Sequence, residues 1–495
     1  LDEHDRRLSF CELRDRGERV AAGLLNRGIR PGSRVAWILP TRLEAILLTV
    51  ALARLGCQQV PLIPAYGPRE INFILGQAKP EWAVLPGLWN GTDYRATIDH
   101  AGDDESLEGD GLSDGEGPRL LDADPDLPEA DPNALPQFVA PDGDPIRWIF
   151  YTSGTTSAPK GALHSDATLL ASAIGIEGPH GFTSEDRVSL VFPYAHIGGP
   201  QLLFSALRVG FALILSETFE PEVVISALSR HRVSFAGPGP VFWQAFIRAQ
   251  RKNPDTLLFP NLRALIGGGA AKPAHLHAEA REVLGVSILS GYGLSECPAL
   301  AYNCEGDSED VLATDGRAVV GSEIRIVCDD EREAAAGEEG EIRVRGSMLF
   351  HGYLDASLDG EAFDSEGYLR TGDLGSLDTS GQLRVVGRVK DIIIRKGENI
   401  SAKEIEDLLA THPAVADVAV IGLPDLDRGE RCCAVVVSEN GEQPLVLADI
   451  SAHCSEAGLM KQKYPEQLEC VEELPRNSTG KVLKAELRSR FSDSN

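Results

Sequence analysis

Residues 146–161 read Ile-Arg-Trp-Ile-Phe-Tyr-Thr-Ser-Gly-Thr-Thr-Ser-Ala-Pro-Lys-Gly. The first six form an apolar, aromatic and β-branched run, the pattern of a buried strand. The next residues change character at once. Thr152, Ser153, Gly154, Thr155 and Thr156 offer backbone N–H and hydroxyl donors with little side-chain bulk, and Lys160 adds a point charge. Such a loop can wrap a polyphosphate. It is not a Walker A loop, because Lys160 stands six residues after Gly154 and is followed by Gly161. A helix-like stretch, 166–175, comes next. Strand, phosphate-type loop and helix in this order predict an α/β fold.

The same alternation extends in both directions. Phe10 to Arg27 carries Leu13, Val20 and Leu24 at helical spacing, and Arg34 to Leu39 reads as a buried strand. Glu44 to Leu55 reads as a helix, and the run beginning at Gln59 as a strand. Downstream, RVSLVF and FALIL are strand-like around a helix-like 200–208. This order predicts parallel sheets covered on both faces. After about 310 the texture shifts to short strands (SEIRIVC, GEIRVRG, GQLRVVG) joined by Gly-rich turns, an antiparallel, barrel-like portion. The last hundred residues mix helical stretches, Ala402 to His412 and Leu447 to Ala457, with the strands VADVAVIGL and RCCAVVV. They predict a small α+β unit whose border lies near Gly387 to Asp391. Residues 101–145 stand apart: 14 acidic residues against one Arg read as a solvated loop.

Length and composition exclude several classes. The chain has 495 residues, enough for two or three domains at about 150 each. Lys plus Arg is 47, Asp plus Glu is 75, and the net charge is −28. A nucleic-acid or anionic-membrane binder needs a basic face, so this balance argues against both. The longest apolar stretch, Ala45 to Ala53, falls short of the roughly 20 residues of a membrane-spanning helix. No signal peptide opens the sequence at Leu1, although the absence of an initial Met leaves a leader open. Nine Cys without regular spacing predict a reducing, cytoplasmic setting. Cys432 and Cys433 fall in an apolar strand pattern and read as core. His275 and His277 lack partners at metal-ligand spacing.

Four further motifs follow the first in order. They are Tyr292-Gly-Leu-Ser-Glu296, Tyr368-Leu-Arg-Thr-Gly-Asp373, Gly387-Arg-Val-Lys-Asp391 with Lys396-Gly-Glu-Asn-Ile400, and Pro475-Arg-Asn-Ser-Thr-Gly-Lys481. Together the five resemble the adenylate-forming superfamily of acyl-CoA synthetases, luciferases and peptide-synthetase adenylation domains. Ser295 replaces that family's usual Thr, and the acidic 101–145 stretch has no counterpart. The resemblance implies an AMP-binding N-terminal domain over 1–387, a hinge at 388–391 centred on Lys390, and a mobile C-terminal domain over 392–495.

The resemblance also implies roles. Thr152, Ser153, Gly154, Thr155, Thr156 and Lys160 would hold the β- and γ-phosphates of ATP. Glu296 would hold Mg²⁺, a hard ion that takes few carboxylates. Asp373 would accept from the ribose hydroxyls, Tyr292 would stack on adenine beside Gly291, Gly293 and Ser295, and Gly268, Gly269 and Ala270 would lie against the base. Arg388 would contact ribose or phosphate. Lys481 would bridge the substrate carboxylate and the α-phosphate during in-line attack, where the protein positions reactants and neutralises charge.

Pro193 to Gly199 falls where that family builds its acyl pocket, with His196 near the carboxylate. Val241, Phe242, Gly268, Gly269 and Leu294 would line the rest. No Asp lies between Asp186 and Asp255 to pair with a substrate ammonium, which argues for an acid without an α-amine. Small residues beside the sheet predict a medium-chain, alicyclic or bulky ring acid. Residues 56–95 are loosely similar to CoA ligases of cyclohexanecarboxylate and medium-chain type, and fatty acid metabolism is the implied setting. Gly397, between Lys396 and Glu398, would pass the pantetheine arm of coenzyme A. The expected activity is therefore an AMP-forming carboxylic acid–CoA ligase using ATP, Mg²⁺ and CoA. The alternatives are a carrier-protein-loading adenylation enzyme and a catalytically silent nucleotide-binding scaffold. A homodimer is compatible with the sequence.

Overall fold

The computed structural model describes residues 1–99, 117–123, 126–152, 159–269, 274–395, 398–425, 428–439, 445–477 and 480–492. Among these residues the first sheet has six strands, in the order Arg119–Asp122, Trp82–Leu85, Arg34–Trp37, Gln58–Pro61, Ile146–Thr152 and Lys160–Ser165. All neighbours run parallel except the last pair. The second sheet runs Ala212–Leu215, Arg187–Leu190, Phe235–Ala236, Ala264–Gly268 and Ser287–Tyr292 in parallel. Two short antiparallel strands, Ala301–Tyr302 and Arg317–Ala318, then close its edge. Helices such as Phe10–Arg27 and Leu43–Arg54 cover these sheets. The first of them begins where expected because Ser9 and Glu12 form a reciprocal cap, and ends at Gly28 with φ 104°.

The antiparallel portion is a four-stranded sheet, Ser322–Val327, Gly340–Gly346, Leu369–Leu377 and Leu383–Arg388. One continuous core joins it to the two parallel sheets, through Ile326, Ile342 and Val344 beside Trp37, Phe150 and Leu289. The last sheet begins at Ile392, four residues after the previous one ends, and is built on Val415–Asp425 and Gly429–Ser438. It has its own two cores. Cys432, Ala434 and Val436 face one, Cys433 and Val435 the other, as the period of two requires. The architecture is the expected α/β fold with a small α+β C-terminal unit.

Two differences stand out. Lys160–Ser165 forms an unexpected strand antiparallel to Ile146–Thr152, and the helix that starts at Asp166, as expected, runs on to His180. The acidic stretch is not solvated loop throughout. Leu121 is buried and Arg119–Asp122 extends the first sheet, while Glu129 holds Arg16 at 3.0 Å and Arg19 at 2.7 Å. The apolar pair Leu120-Leu121 outweighs the surrounding charge because a sheet edge was available to cover. No helix among the described residues is long and apolar enough to cross a membrane.

Candidate active site

In open parallel sheets, loops at the carboxyl ends flank a crevice where the strand order reverses. Here the chain passes from Arg187–Leu190 to Ala212–Leu215 on one side, then to Phe235–Ala236 on the other. The loop leaving Arg187–Leu190 carries His196, and the helix Pro240–Lys252 that follows Phe235–Ala236 carries Val241 in its first turn. Thr41 ties down the first: its Oγ1 donates to the Phe192 carbonyl at 2.7 Å and accepts from Tyr194 N–H at 2.9 Å. His196 Nδ1 accepts from the Gly198 N–H at 3.2 Å, which leaves the ring proton on Nε2. Burial pushes this imidazole down to about 4, so it is neutral at pH 7. In that helix Phe242 and Trp243 are core: Phe242 packs on Phe219 at 4.3 Å, and Trp243 donates to the Ile266 carbonyl at 3.1 Å. Val241 is 37% exposed. Of the two neighbours expected at the pocket, Val241 and Phe242, the second is 9% exposed and packs into the apolar cluster under its helix.

Next to this crevice, Ala264–Gly268 and Ser287–Tyr292 run in register, Gly268 opposite Gly291. A Cβ at Gly268 would sit 2.3 Å from the Gly291 carbonyl oxygen, so only glycine permits this approach. Gly269, Gly293, Leu294 and Ser295 continue from these strand ends. Ala270 lies outside the described residues. Buried His164, on the strand Lys160–Ser165, meets the Ser295 carbonyl with Nε2 at 2.8 Å and Thr168 Oγ1 with Nδ1 at 2.9 Å. Burial pushes it to about 4. A neutral histidine thereby fixes the turn that presents Glu296.

Thr152 pairs with Lys160 across the hairpin, which anchors both ends of the hydroxyl-rich loop. Ser153, Gly154, Thr155 and Thr156 themselves lie outside the described residues. Glu296 is half-buried. Among the described residues its carboxylate takes one hydrogen bond, from Tyr353 Oη at 2.8 Å, and no cationic side chain pairs with it. A half-buried carboxylate so placed suits a hard divalent cation.

Asp373, 4% exposed, lies opposite Arg388 in the antiparallel sheet. Arg388 Nε reaches its Oδ1 at 2.8 Å, and Tyr292 Oη donates to its Oδ2 at 2.7 Å. Burial and the Asp373 charge push the Tyr292 phenol up. Tyr292 thus joins the parallel-sheet end to the Asp373 strand. Each carboxylate oxygen retains a lone pair for a further donor.

The C-terminal loop reaches the same place. Asn477 closes it, accepting the Lys481 N–H at 2.9 Å and donating its own N–H to the Lys481 carbonyl at 2.9 Å. A Cβ at Gly480 would lie 3.5 Å from Val241. The Lys481 amine is pushed down to about 8, first by its removal from water, then by Arg388, while Asp373 and Asp391 act the other way. Its cationic neighbours are engaged elsewhere: Arg388 with Asp373, Lys484 with Glu406 at 2.7 Å, and Arg488 with Asp391 at 2.7 Å. Among the described residues the Lys481 amine has no such partner. Lys390 lies in a short 3₁₀ turn, 389–391, between the last two sheets. Lys396 and Gly397 lie outside the described residues, and Glu398 opens the strand Glu398–Ser401. His277 sits 3.0 Å from Glu309.

Sequence reasoning missed His164, Tyr353 and Asn477. The first two act across 131 and 57 residues, so no local pattern marks them. Asn477 was visible inside the last motif, but its closing role was not.

Residues 1–354 match the family described as AMP-binding enzyme, and residues 404–481 match its C-terminal domain. The medium-chain fatty-acid–CoA ligase of Escherichia coli K12 is 30% identical over 492 residues, 99% of this chain and 86% of that protein. A 3-[(3aS,4S,7aS)-7a-methyl-1,5-dioxo-octahydro-1H-inden-4-yl]propanoyl:CoA ligase of Mycobacterium tuberculosis H37Rv is 32% identical, over 99% of this chain and 95% of that protein. The crystal structure of ATP-bound MatB from Rhodopseudomonas palustris superposes with a TM-score of 0.88 at 28% identity, covering 100% of this chain and 95% of that one.

Proposed function

The chain belongs to the AMP-binding enzymes, the adenylate-forming superfamily, and from that premise we propose that it joins a medium-chain, alicyclic or bulky ring carboxylic acid to coenzyme A. As a member it is an AMP-forming acid–thiol ligase that uses ATP and passes through an acyl-adenylate. In the first step a substrate carboxylate oxygen attacks the α-phosphorus and pyrophosphate leaves. In the second a thiolate attacks the acyl carbonyl and AMP leaves.

Both partners of the first step are anions, so the step needs positive charge between them. The observation that carries the reading is the Lys481 amine, within electrostatic reach of Arg388, Asp373 and Asp391 and without a carboxylate partner among the described residues, while Arg388, Lys484 and Arg488 each have one. Asp373 would accept from the ribose hydroxyls, Tyr292 and Gly268 would bound the base, and Thr152 and Lys160 would anchor the loop on the outer phosphates. Glu296 would hold Mg²⁺, which when bound neutralises phosphate charge. His196, neutral with Nε2–H free of the Gly198 bond, can donate to the acid carboxylate. Val241 stands at the acyl side. Both named relatives are CoA ligases, of a medium-chain fatty acid and of a fused-ring propanoate, which supports the acid class and the CoA acceptor.

A rotation about Lys390 after adenylation would withdraw Lys481 and bring the strand face at 396–400 to the acyl-adenylate, a gating motion. The test is a pyrophosphate-release screen over chain length, alicyclic, aromatic and steroid-like acids, with free CoA present and products read by mass spectrometry. Acyl-CoA from medium-chain or ring acids is expected. Acyl-AMP without acyl-CoA would replace CoA by a carrier-protein thiol, and no turnover with any acid would remove the reading.

A further inference from the structure

The segment Phe350–Leu354 is laced to both halves of the phosphate site. Its Phe350 N–H donates to the Glu296 carbonyl at 2.8 Å, and Leu354 N–H donates to the Gly161 carbonyl at 2.7 Å. His351 N–H donates to the Leu163 carbonyl at 2.8 Å, and Leu163 N–H donates to the Gly352 carbonyl at 3.0 Å, across the same edge. Tyr353 stands in the middle, opposite Ala162 and 7% exposed. Its hydroxyl donates to Glu296 Oε1 at 2.8 Å, and its ring lies 5.1 Å from Lys160 Nζ. Phe350 packs edge-on against that ring at 4.9 Å, and Asp359 accepts the Tyr353 N–H at 2.9 Å, so the side chain has little freedom.

The geometry points to Tyr353 as a positioning residue that sets the phosphate-loop lysine and the carboxylate Glu296 at a fixed separation. The two groups meet different parts of one ligand. Lys160 neutralises phosphate oxygens directly, and Glu296 does so by holding the divalent cation. A single rigid side chain touches both, with its hydroxyl on the anion and its π face beneath the cation. The donated hydrogen bond occupies one oxygen and one lone-pair direction of Glu296, and this orients the remaining lone pairs. The ring attracts the ammonium and keeps Lys160 from folding back onto Glu296. This inference rests on the assignment of Glu296 to Mg²⁺.

The experiment measures ATP binding to the full chain by calorimetry, without acid, in excess MgCl₂ and again in excess EDTA. Tyr353→Phe keeps the ring and removes one hydrogen bond to a charged group. The Kd of Mg–ATP is expected to rise about ten-fold while the Kd in EDTA moves less than about two-fold. In turnover, KM for Mg–ATP should rise and KM for the acid should not. Tyr353→Leu also removes the ring and should weaken binding in EDTA as well. Equal weakening by Tyr353→Phe in both media, or unchanged Mg–ATP affinity, overturns the inference. Glu296→Gln separates it from its premise. Should Glu296→Gln leave the magnesium-dependent gain intact, the metal assignment falls and takes the inference with it. Should it abolish the gain while Tyr353→Phe does not reduce it, the role of Tyr353 alone falls.

Discussion

Replacing Lys481 with Gln should disable the enzyme and stabilise it at once. In the free protein the amine has left water, faces Arg388, and is pushed down to about 8 from an ordinary 10.5. The unfolded chain therefore binds this proton more tightly than the folded one. Stability from this group rises with pH between about 8 and 10.5, and below 8 the folded state carries the full penalty. A displacement of that size corresponds to about 3 kcal/mol at pH 7. A neutral side chain of similar length removes the penalty, so Lys481→Gln should raise the melting temperature of the nucleotide-free protein at pH 7. The same substitution removes the charge that would meet the α-phosphate, worth about 3–4 kcal/mol or 100–1000-fold in rate. Acid-dependent exchange of pyrophosphate into ATP reads the first half-reaction, and thioester yield from supplied acyl-AMP reads the second. The expected result is a loss of about 100–1000-fold in exchange, near-unchanged thioester formation, and a higher melting temperature. A lower melting temperature would refute the electrostatic reasoning. Equal loss in both half-reactions would refute the assigned role.

Asp373→Asn removes the charge that holds Arg388 and Tyr292, and should weaken ATP binding by about 10–100-fold in calorimetry, with little change in the KM for the acid. Gly161→Val places a methyl-bearing carbon 3.1 Å from the Ile149 and Tyr151 side chains and 3.3 Å from Leu354, and should lower stability to denaturant by about 1–3 kcal/mol. His164 and His180 are buried and pushed down to about 4, against 6.5 when unfolded, so the unfolded chain takes up their protons first as pH falls. Stability should then drop between pH 6.5 and 4, by up to about 3 kcal/mol per histidine, and level off below. Denaturant melts of wild type and His164→Gln across that range check it, the variant showing the shallower slope.

The sheets were legible because their strands carry period-two or fully apolar runs ended by Gly and Pro, and the C-terminal unit because Val415–Asp425 and Gly429–Ser438 are long. Lys160–Ser165 was not. Its residues, Lys-Gly-Ala-Leu-His-Ser, have weak strand propensity, and the strand exists because it pairs with both Ile146–Thr152 and the segment Gly352–Leu354. The same asymmetry governs the site. Groups that would touch the nucleotide sit in short motifs and could be read from the chain. Groups that hold those groups, such as His164 beneath Ser295 and Tyr353 beside Glu296, are ordinary residues made important by a contact far along the sequence. Val241 and Phe242 are adjacent and were read alike, yet helical spacing turns Phe242 to the core while Val241 stays 37% exposed.

A protein of net charge −28 that binds a polyanion poses an electrostatic question which the site geometry answers. Charges beyond roughly 8 Å are largely screened at physiological ionic strength, so the bulk of the acidic surface exerts little force on a bound nucleotide. Within that range the count is local. Asp373, Asp391 and Glu406 each face a cation of their own in Arg388, Arg488 and Lys484. These pairs cancel one another, whereas Lys481 has no carboxylate of its own among the described residues. The carboxylates that look unfavourable for ATP thus serve to engage the competing cations. Lys160 would meet the outer phosphates from the N-terminal body, and the further positive charge, for the α-phosphate, would be carried on the C-terminal loop. Adenylation would then need that loop as well as the N-terminal body. For this reason a rotation that removes Lys481 would be sufficient to end the first reaction and clear the site for the second.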